Sequence, residues 1–506
     1  MGNMLKRTAS TPLGVKLRRS RDRTVDETVR RKSKRRNTAH SKRFATWRGI
    51  SGTGLLKVYP LGIGKAKTAL VVVAWLWILL PISLPGASGI YRDGVGARAM
   101  ALGGADVGQA EGPLSALAAN PAGAGWISAP TLDMGFAGAI PGGRFSNTAN
   151  DRSPMRSDFG ALPEAAFGMP LGHGPFGLTV GVYPEAALSA DWRYVDAPGG
   201  ADGKTSYGLQ TQRSEILLLR SAVGLGWAVT PQLSIGASLG AVYNQNTLEA
   251  PYVFQSQPAL KGAKTLLDLD TDGFGVDGQL GVLFRPIQDL QLGLAYRSPC
   301  WIDSHGDASG NAGVQFDNLG LAGARPDFHY DAEVDTHFPQ VVSGGARWQV
   351  HPRWRLLAQV DWINWHDAFD QLPIILTHGN NADLNGVVGS STLRDEVPLH
   401  WKDQWVYRAG VEYTLSEHFS LRTGYSYGRN PVPNDTLTPL TAAITEHLFT
   451  AGAGCTFGRF RVDLAYQYDV PNTEHVGTSG LRSGEYSNSQ TEVWVHWVGL
   501  TLSTWF

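Results

Sequence analysis

From residue 130 to the end of the chain, apolar and polar residues alternate again and again with a period of two, and no run after Leu84 is long and apolar enough to make a membrane helix. In 232–243, Leu233, Ile235, Ala237, Leu239, Ala241 and Tyr243 share one face, while Gln232, Ser234, Gly236, Ser238 and Gly240 share the other. Such a period makes strands, not helices. It recurs in Leu290, Leu292, Leu294 and Tyr296, in Trp354, Leu356, Ala358, Val360 and Trp362, and in Phe460, Val462, Leu464, Tyr466 and Tyr468. About fourteen segments qualify: 130–139, 163–171, 176–183, 216–228, 232–243, 274–285, 289–298, 328–350, 353–363, 404–414, 418–428, 447–457, 460–469 and 492–505. Pro339 interrupts the eighth, which is read as one long strand with a proline bulge rather than as two strands.

The connections alternate too. Short ones (172–175, 229–231, 286–288, 351–352, 415–417, 458–459) take turns with long ones (140–162, 184–215, 244–273, 299–327, 364–403, 429–446, 470–491). A soluble sandwich or propeller has no reason to sort its loops by length so consistently. An even strand count, one greasy face and sorted loops are the marks of a barrel in a lipid bilayer. The expected fold is therefore all-β: an antiparallel transmembrane β-barrel of about fourteen strands. Trp362 with Trp365, Trp401 with Trp405, Tyr296 and Tyr468 are expected at its aromatic girdles. The last strand ends on Phe506 and carries Leu502, Leu500 and Val498 on one face; a terminal aromatic resembles the signal by which bacterial barrels reach their assembly machinery. Thr504 departs from the apolar residue usual in that pattern.

Charge is distributed unevenly. The 44 basic and 44 acidic residues cancel, but nineteen of the basic ones and only three of the acidic ones precede Thr68, which leaves the rest of the chain near −16. An acidic body cannot release phosphate counterions, so nucleic acid is excluded as a partner. With only Cys300 and Cys455, neither a disulfide framework nor a cysteine zinc site can be built. Residues 68–84, TALVVVAWLWILLPISL, follow Lys65 and Lys67 and precede small residues at 85–89, the three-part pattern of a secretory signal. Pro81 and Pro85 argue against a permanent helix. The basic stretch before it is far longer than a normal signal requires. Either the signal is extended or the true start codon lies downstream. The expected organisation is 1–87 leader and signal, 88–129 plug and 130–506 barrel.

Residues 88–126, SGIYRDGVGARAMALGGADVGQAEGPLSALAANPAGAGW, show no alternation and are the right size to sit inside the lumen. Here Gly103-Gly104-Ala105 followed by Asn120-Pro121-Ala122 resembles the amino-terminal hatch of the FadL-type outer-membrane transporters of long-chain fatty acids and aromatic hydrocarbons. Near the other end, His400-Trp401-Lys402-Asp403, Arg408 to Tyr413, Leu421-Arg422-Thr423-Gly424 and Pro431-Val432-Pro433 follow that family's order. The resemblance covers the chain from Ser88 to Phe506. It implies a monomeric barrel of the bacterial outer membrane, plugged by its hatch, whose partners are a hydrophobic ligand, the surrounding lipids and the assembly machinery. Capture by the loops, binding in the lumen, movement of the hatch and sideways release through a kinked wall strand are implied with it.

Lateral release suits an apolar solute, which gains roughly 0.8 kcal/mol per CH₂ kept from water. Gly177 and Gly181, which lack side chains, and Pro184, which cannot donate to a ladder, are the kink candidates. For Asn120, Pro121 and Ala122 a structural and a gating role both stand. Alternation points Arg220, Arg347, Arg355, Arg408, Arg422 and Arg461 inward with Asp361, Glu412 and Asp463. A guanidinium there could hold a fatty-acid carboxylate, with Arg355, Arg408, Arg422 and Arg461 as candidates, or link hatch to wall by salt bridges. No G-x-S-x-G or H-E-x-x-H motif supports an enzyme, and no cofactor or metal is expected. Uptake of long-chain fatty acids is the expected function; the alternatives are an uptake channel for aromatic or other hydrocarbons, or a passive porin-like barrel, although the last would need no plug.

Overall fold

The computed structural model describes residues 88–482 and 484–506; the expected leader, 1–87, lies outside the described residues. Among the described residues, nineteen strands form one antiparallel sheet. The wall opens with β1 (Thr131–Asn147). After the short β2 (Asn150–Pro154) come β3 (Gly160–Pro170), β4 (Phe176–Val195), β5 (Leu209–Ala228), β6 (Leu233–Val253), β7 (Lys264–Ile287) and β8 (Leu290–Arg297). An excursion supplies β9 (Cys300–Asn311) and β10 (Asp327–Phe338) before the wall resumes with β11 (Val341–His351) and β12 (Trp354–Ile363). A second excursion holds β13 (Gln371–Thr377) and β14 (Leu393–Pro398). The wall then runs through β15 (Gln404–Thr414), β16 (Phe419–Gly428), β17 (His447–Phe457), β18 (Phe460–His475) and β19 (Gln490–Trp505). Without β2, β9, β10, β13 and β14, fourteen strands follow one another round a ring. It closes where β19 pairs with β1 from Thr131↔Trp505 to Ser146↔Gln490.

The strand plan differs from the sequence reading in the eighth segment and in the connections 140–162, 299–327 and 364–403, which hold β2, β9, and β13 with β14. The eighth segment is not one bulged strand: it breaks at Pro339, so that β11 pairs with β8 in the wall while β10 pairs with β9 beyond it. The stretch 299–327, read as loop, contains β9, which pairs with the outer half of β7 from Leu266↔Asn311 to Asp272↔His305. Proline explains both breaks, because Pro299 and Pro339 cannot donate to a continuing ladder.

The alternation is realised physically along β7. Phe274, Val276 and Leu280 point outward at 71, 70 and 58 % exposure, whereas the intervening Asp277 and Gln279 are only 3 and 4 % exposed. In water such an apolar band would be unfavourable; in lipid it is the required surface. Trp405 and Tyr296 also face outward. Trp365 and Trp401 do not, in contrast to the expected girdle: the chain leaves β12 at Asn364, turns inward and packs both indoles into a buried cluster with Phe338 and Phe369.

Residues 88–129 fill the ring. Their helical pieces are short, Ala97–Met100, Pro113–Ala118 and a 3-10 segment Pro121–Trp126, because glycine and proline interrupt each one. The wall accepts them through glycines on its inner face. A Cβ on Gly281 would strike Asn120, one on Gly424 would strike Gly103, and one on Gly177 would strike the Ala124 carbonyl.

Candidate functional site

At the end of the barrel bearing the long connections lies an apolar cavity of about 180 Å³, walled by Ile90 of the plug, Ile216, Leu248, Val334, Leu372 and Leu440. Its outermost wall is the connection between β18 and β19, which contributes Leu481, Arg482, Glu485 and Tyr486. Arg482 is the only Lys or Arg among the lining residues, and its guanidinium has no partner among the described residues. Glu485 lies 2.5 Å from the fully buried Lys264, which also meets Asp196 at 2.6 Å and the Ala197 carbonyl at 2.8 Å. Burial pushes the Glu485 carboxyl up to about 7, although the Lys264 ammonium opposes that rise.

Immediately below Ile90, Tyr91 and Arg92 line a second, polar cavity between plug and wall, together with Tyr183, Glu185 and Arg297. This is where the wall ladder fails. The β3–β4 pairing ends at Ala165↔Val182, although β3 continues pairing with β1 as far as Gly160↔Ala139. On its other side β4 shifts register against β5 between Pro184 and Ala186. Plug residues take the place of the missing strand: Arg92 N–H donates to the Glu185 carbonyl, Ala187 N–H donates to the Ile90 carbonyl, and Tyr91 bridges Ala186. Arg92 also spans the gap with its side chain. Its Nη1 lies 3.0 Å from Glu164 on β3 and 3.1 Å from the Pro184 carbonyl on β4.

Of the three kink candidates, Pro184 therefore sits at the irregularity. Gly177 and Gly181 lie in regular register, opposite Pro170 and Ala166. At Gly177 the missing side chain makes room for the plug instead.

The four candidate arginines are brought together with acids and line no part of the apolar cavity. Arg408 meets Asp361 at 2.6 Å and also pairs with Asp93 and Ser88 of the plug. Arg422, whose side chain is fully buried, lies between Glu412 at 2.6 Å and Asp463 at 2.7 Å. Arg355 reaches Glu111 of the plug at 3.3 Å and Glu412 at 3.1 Å, and Arg461 pairs with Asp463 at 2.7 Å. Buried charges demand such partners, since an unpaired one would cost several kcal/mol. Arg98 of the plug joins the same network through Glu412 and Glu111.

Asn120 is completely buried. Its Oδ1 accepts from Ala122 N–H at 3.1 Å and so caps the 3-10 segment, while its Nδ2 donates to the carbonyls of Val107, Val282 and Leu294. Pro121 follows at the first position of that segment and Ala122 is fully buried within it. Phe506 is 66 % exposed, and its N–H donates to the Pro130 carbonyl. A separate exposed group, Asp307, His329 and Asp331, holds ligand atoms within 4.8 Å of one another but lines neither cavity.

Sequence reasoning missed Arg92 and Arg482. Both lie outside the alternating strands, where no periodicity says which way a side chain points; the one available signal was that Arg92 falls within the plug.

The model of the family described as outer membrane protein transport protein (OMPP1/FadL/TodX) matches residues 85–506. The long-chain fatty acid transport protein of Escherichia coli K12 is 23 % identical over 408 residues, covering 74 % of this chain and 85 % of that one. Among solved structures, a FadL homologue of Pseudomonas aeruginosa is similar with a TM-score of 0.67 at 16 % identity, over 83 % of this chain and all of the other. The toluene transporter TodX of Pseudomonas putida gives 0.65 at 19 % identity over the same shares. These two likenesses speak for the fold alone. The family match, which takes in the plug and every wall strand, shows that the chain belongs to the FadL/TodX family of transport proteins of the bacterial outer membrane.

Proposed function

We propose that the barrel takes up long-chain fatty acids and releases them sideways into the outer membrane. One observation carries this reading: three consecutive plug residues connect an apolar cavity to a break in the wall, since Ile90 lines the outer cavity while Tyr91 and Arg92 cover the gap between β3 and β4. The long connections capture the ligand, and its alkyl chain enters the apolar cavity, where burial contributes roughly 0.8 kcal/mol per CH₂. Arg482 at the outer wall receives the carboxylate by a charge-assisted hydrogen bond. Displacement of residues 90–92 then joins the cavity to the gap, and the ligand leaves into lipid without crossing water.

In this scheme Arg355, Arg408, Arg422 and Arg461 hold the plug and its seat, and Asn120 with Pro121 and Ala122 fixes the plug's fold. The barrel acts as a monomer and performs no chemistry on its ligand. The terminal Phe506 serves delivery to the assembly machinery, and 1–87 is removed as leader and signal. The curated relative named above, a long-chain fatty acid transport protein, supports the choice of ligand.

A second reading, uptake of neutral aromatic hydrocarbons, is favoured by the scarcity of charge in the cavity, where Glu215, Arg482 and Glu485 are the charged lining residues. Oleate and toluene binding to the purified protein separates them. Saturable oleate binding that is lost in Leu248→Trp, which fills the cavity, and weakened in Arg482→Ala supports the fatty-acid reading. Toluene binding without oleate binding establishes the other.

A further inference from the structure

We propose that the Nε–Nη2 edge of Arg92, beside the wall gap, is a station for the ligand's carboxyl head on its way out of the barrel. The inference rests on the fatty-acid reading above and extends it from the cavity where the chain is held to the place where the head must pass.

Arg92 is an unusual guanidinium. Its side chain is only 2 % exposed, yet it uses a single nitrogen, Nη1, to reach Glu164 and the Pro184 carbonyl. Its Nε and Nη2 are buried and have no acceptor among the described residues. Leaving charged donors unmatched in a protein interior is expensive, so their persistence calls for an explanation. Nε and Nη2 are also the pair that presents two parallel N–H groups to one carboxylate, the strongest arrangement available to arginine. On the same cavity wall, Arg297 pairs with Glu185 through Nη1 and donates from Nη2 to the Ala118 carbonyl, while its Nε is likewise buried without an acceptor. The two arginines that carry these three unmatched donors thus line one small cavity at the break in the ladder.

The station accounts for a difficulty in lateral release. An alkyl chain passes into lipid readily, but its carboxyl head must cross the same gap, and polar groups cross apolar surroundings only at a cost of several kcal/mol unless they are hydrogen-bonded. Arg92 lines the polar cavity, two residues along the chain from Ile90 in the apolar one, and bridges both sides of the gap. A carboxyl arriving on its open edge need not displace Glu164, which holds a different nitrogen.

Cells producing the full chain are given radiolabelled oleate or methyl oleate, and label reaching membrane lipid is followed with time. Arg92→Gln should slow oleate transfer roughly tenfold, the size expected for a lost charged hydrogen bond, and should not slow the ester; Arg92→Lys should fall between. Glu164→Gln, which loosens the bridge that closes the seam but keeps the unmatched edge, should not slow oleate. Heat-modifiability on gels reports that each variant has folded. Equal slowing of acid and ester in Arg92→Gln, or no slowing of either, overturns the station alone. The same holds if Glu164→Gln slows oleate as much as Arg92→Gln does. A parent protein that transfers the ester but not the acid overturns the fatty-acid reading and the station with it.

Discussion

Two seams in the same wall are built by different means. Where β19 meets β1, sixteen residue pairs run in unbroken register from Thr131↔Trp505 to Ser146↔Gln490. Where β3 meets β4, six pairs suffice and the ladder stops at Ala165↔Val182. The first seam is closed by backbone hydrogen bonds, which in lipid have no water to exchange with and so stay made. Above Val182 the second is closed by plug residues 90–92 and by the Arg92–Glu164 bridge. A barrel can move a plug without unfolding, but it cannot part a ladder. Of these two seams, the second is therefore the one that the proposed sideways release requires.

The strongest way to break this comparison is to remove the plug. Deletion of residues 88–126 should leave the barrel inserted and heat-modifiable, because the fourteen-stranded ring closes without it, and should turn a sealed lumen into a conducting one. Planar-bilayer recordings check this; unchanged conductance would mean that the ring seals itself.

Reducible cross-links sharpen it next. Opposed cysteines on neighbouring strands have Cβ atoms near the distance a disulfide needs. Phe136→Cys with Leu500→Cys, paired across the permanent seam, should leave ligand transfer unaffected. Glu164→Cys with Pro184→Cys, held apart across the gap by Arg92, should stop transfer when oxidised through a short bridging dithiol and restore it on reduction. Transfer that survives oxidation there would place the exit elsewhere.

A smaller effect is expected at the seats of the plug. Gly281→Val would drive a side chain into Asn120, and Gly177→Val into the Ala124 carbonyl. Each should cost about 1–3 kcal/mol, as overpacking does, and show as partial conductance with the wall intact. Comparable leakage from Gly344→Val, which lies on the outward face of β11 with Val342 and Trp348 and where a Cβ meets nothing, would argue that any added bulk in the wall disturbs the ring.

Most of the wall was legible from sequence because the bilayer imposes one rule on every strand: apolar outward, small or polar inward. That rule ends at the membrane surface. β9 was missed because Asp303, His305 and Asp307 take its outward positions, and the outer half of β7 likewise presents Asp268, Asp270 and Asp272. These stretches still alternate, but with the acids outward and the apolar or small residues inward, the reverse of the lipid-facing rule. The inward arginines were found for the same reason as the strands, yet their role was not, because alternation gives a direction and no partner. Asp93 and Glu111, which engage Arg408 and Arg355, stand hundreds of residues away in a segment with no period at all. The seam opposite Pro184 was partly visible, since proline marks where a ladder must yield. That plug residues would take over the vacated edge of β4 was not, because nothing local in 90–92 reads as a strand.

The mouth of the apolar cavity is a third closure, neither ladder nor plug, and its expected response is the smallest. Glu485 is held there against Lys264, with Asp196, Tyr194 and Tyr486 as its other ionisable neighbours. Its carboxyl is raised from an ordinary 4.5 to about 7, chiefly by burial. An acid whose folded value exceeds its unfolded one binds its proton more tightly when folded. The stabilisation is therefore complete below pH 4.5 and disappears as pH rises through about 7. The shift corresponds to something on the order of 3 kcal/mol, confined to the connection between β18 and β19. Hydrogen exchange of the 476–489 peptide, corrected for its intrinsic rate, should show protection falling between pH 5 and 8 in the parent and constant in Glu485→Gln, while peptides from the β1–β19 seam do not respond in either. Protection that instead rises with pH would mean that the Lys264 ion pair outweighs burial, and that the mouth tightens where this reading has it loosen.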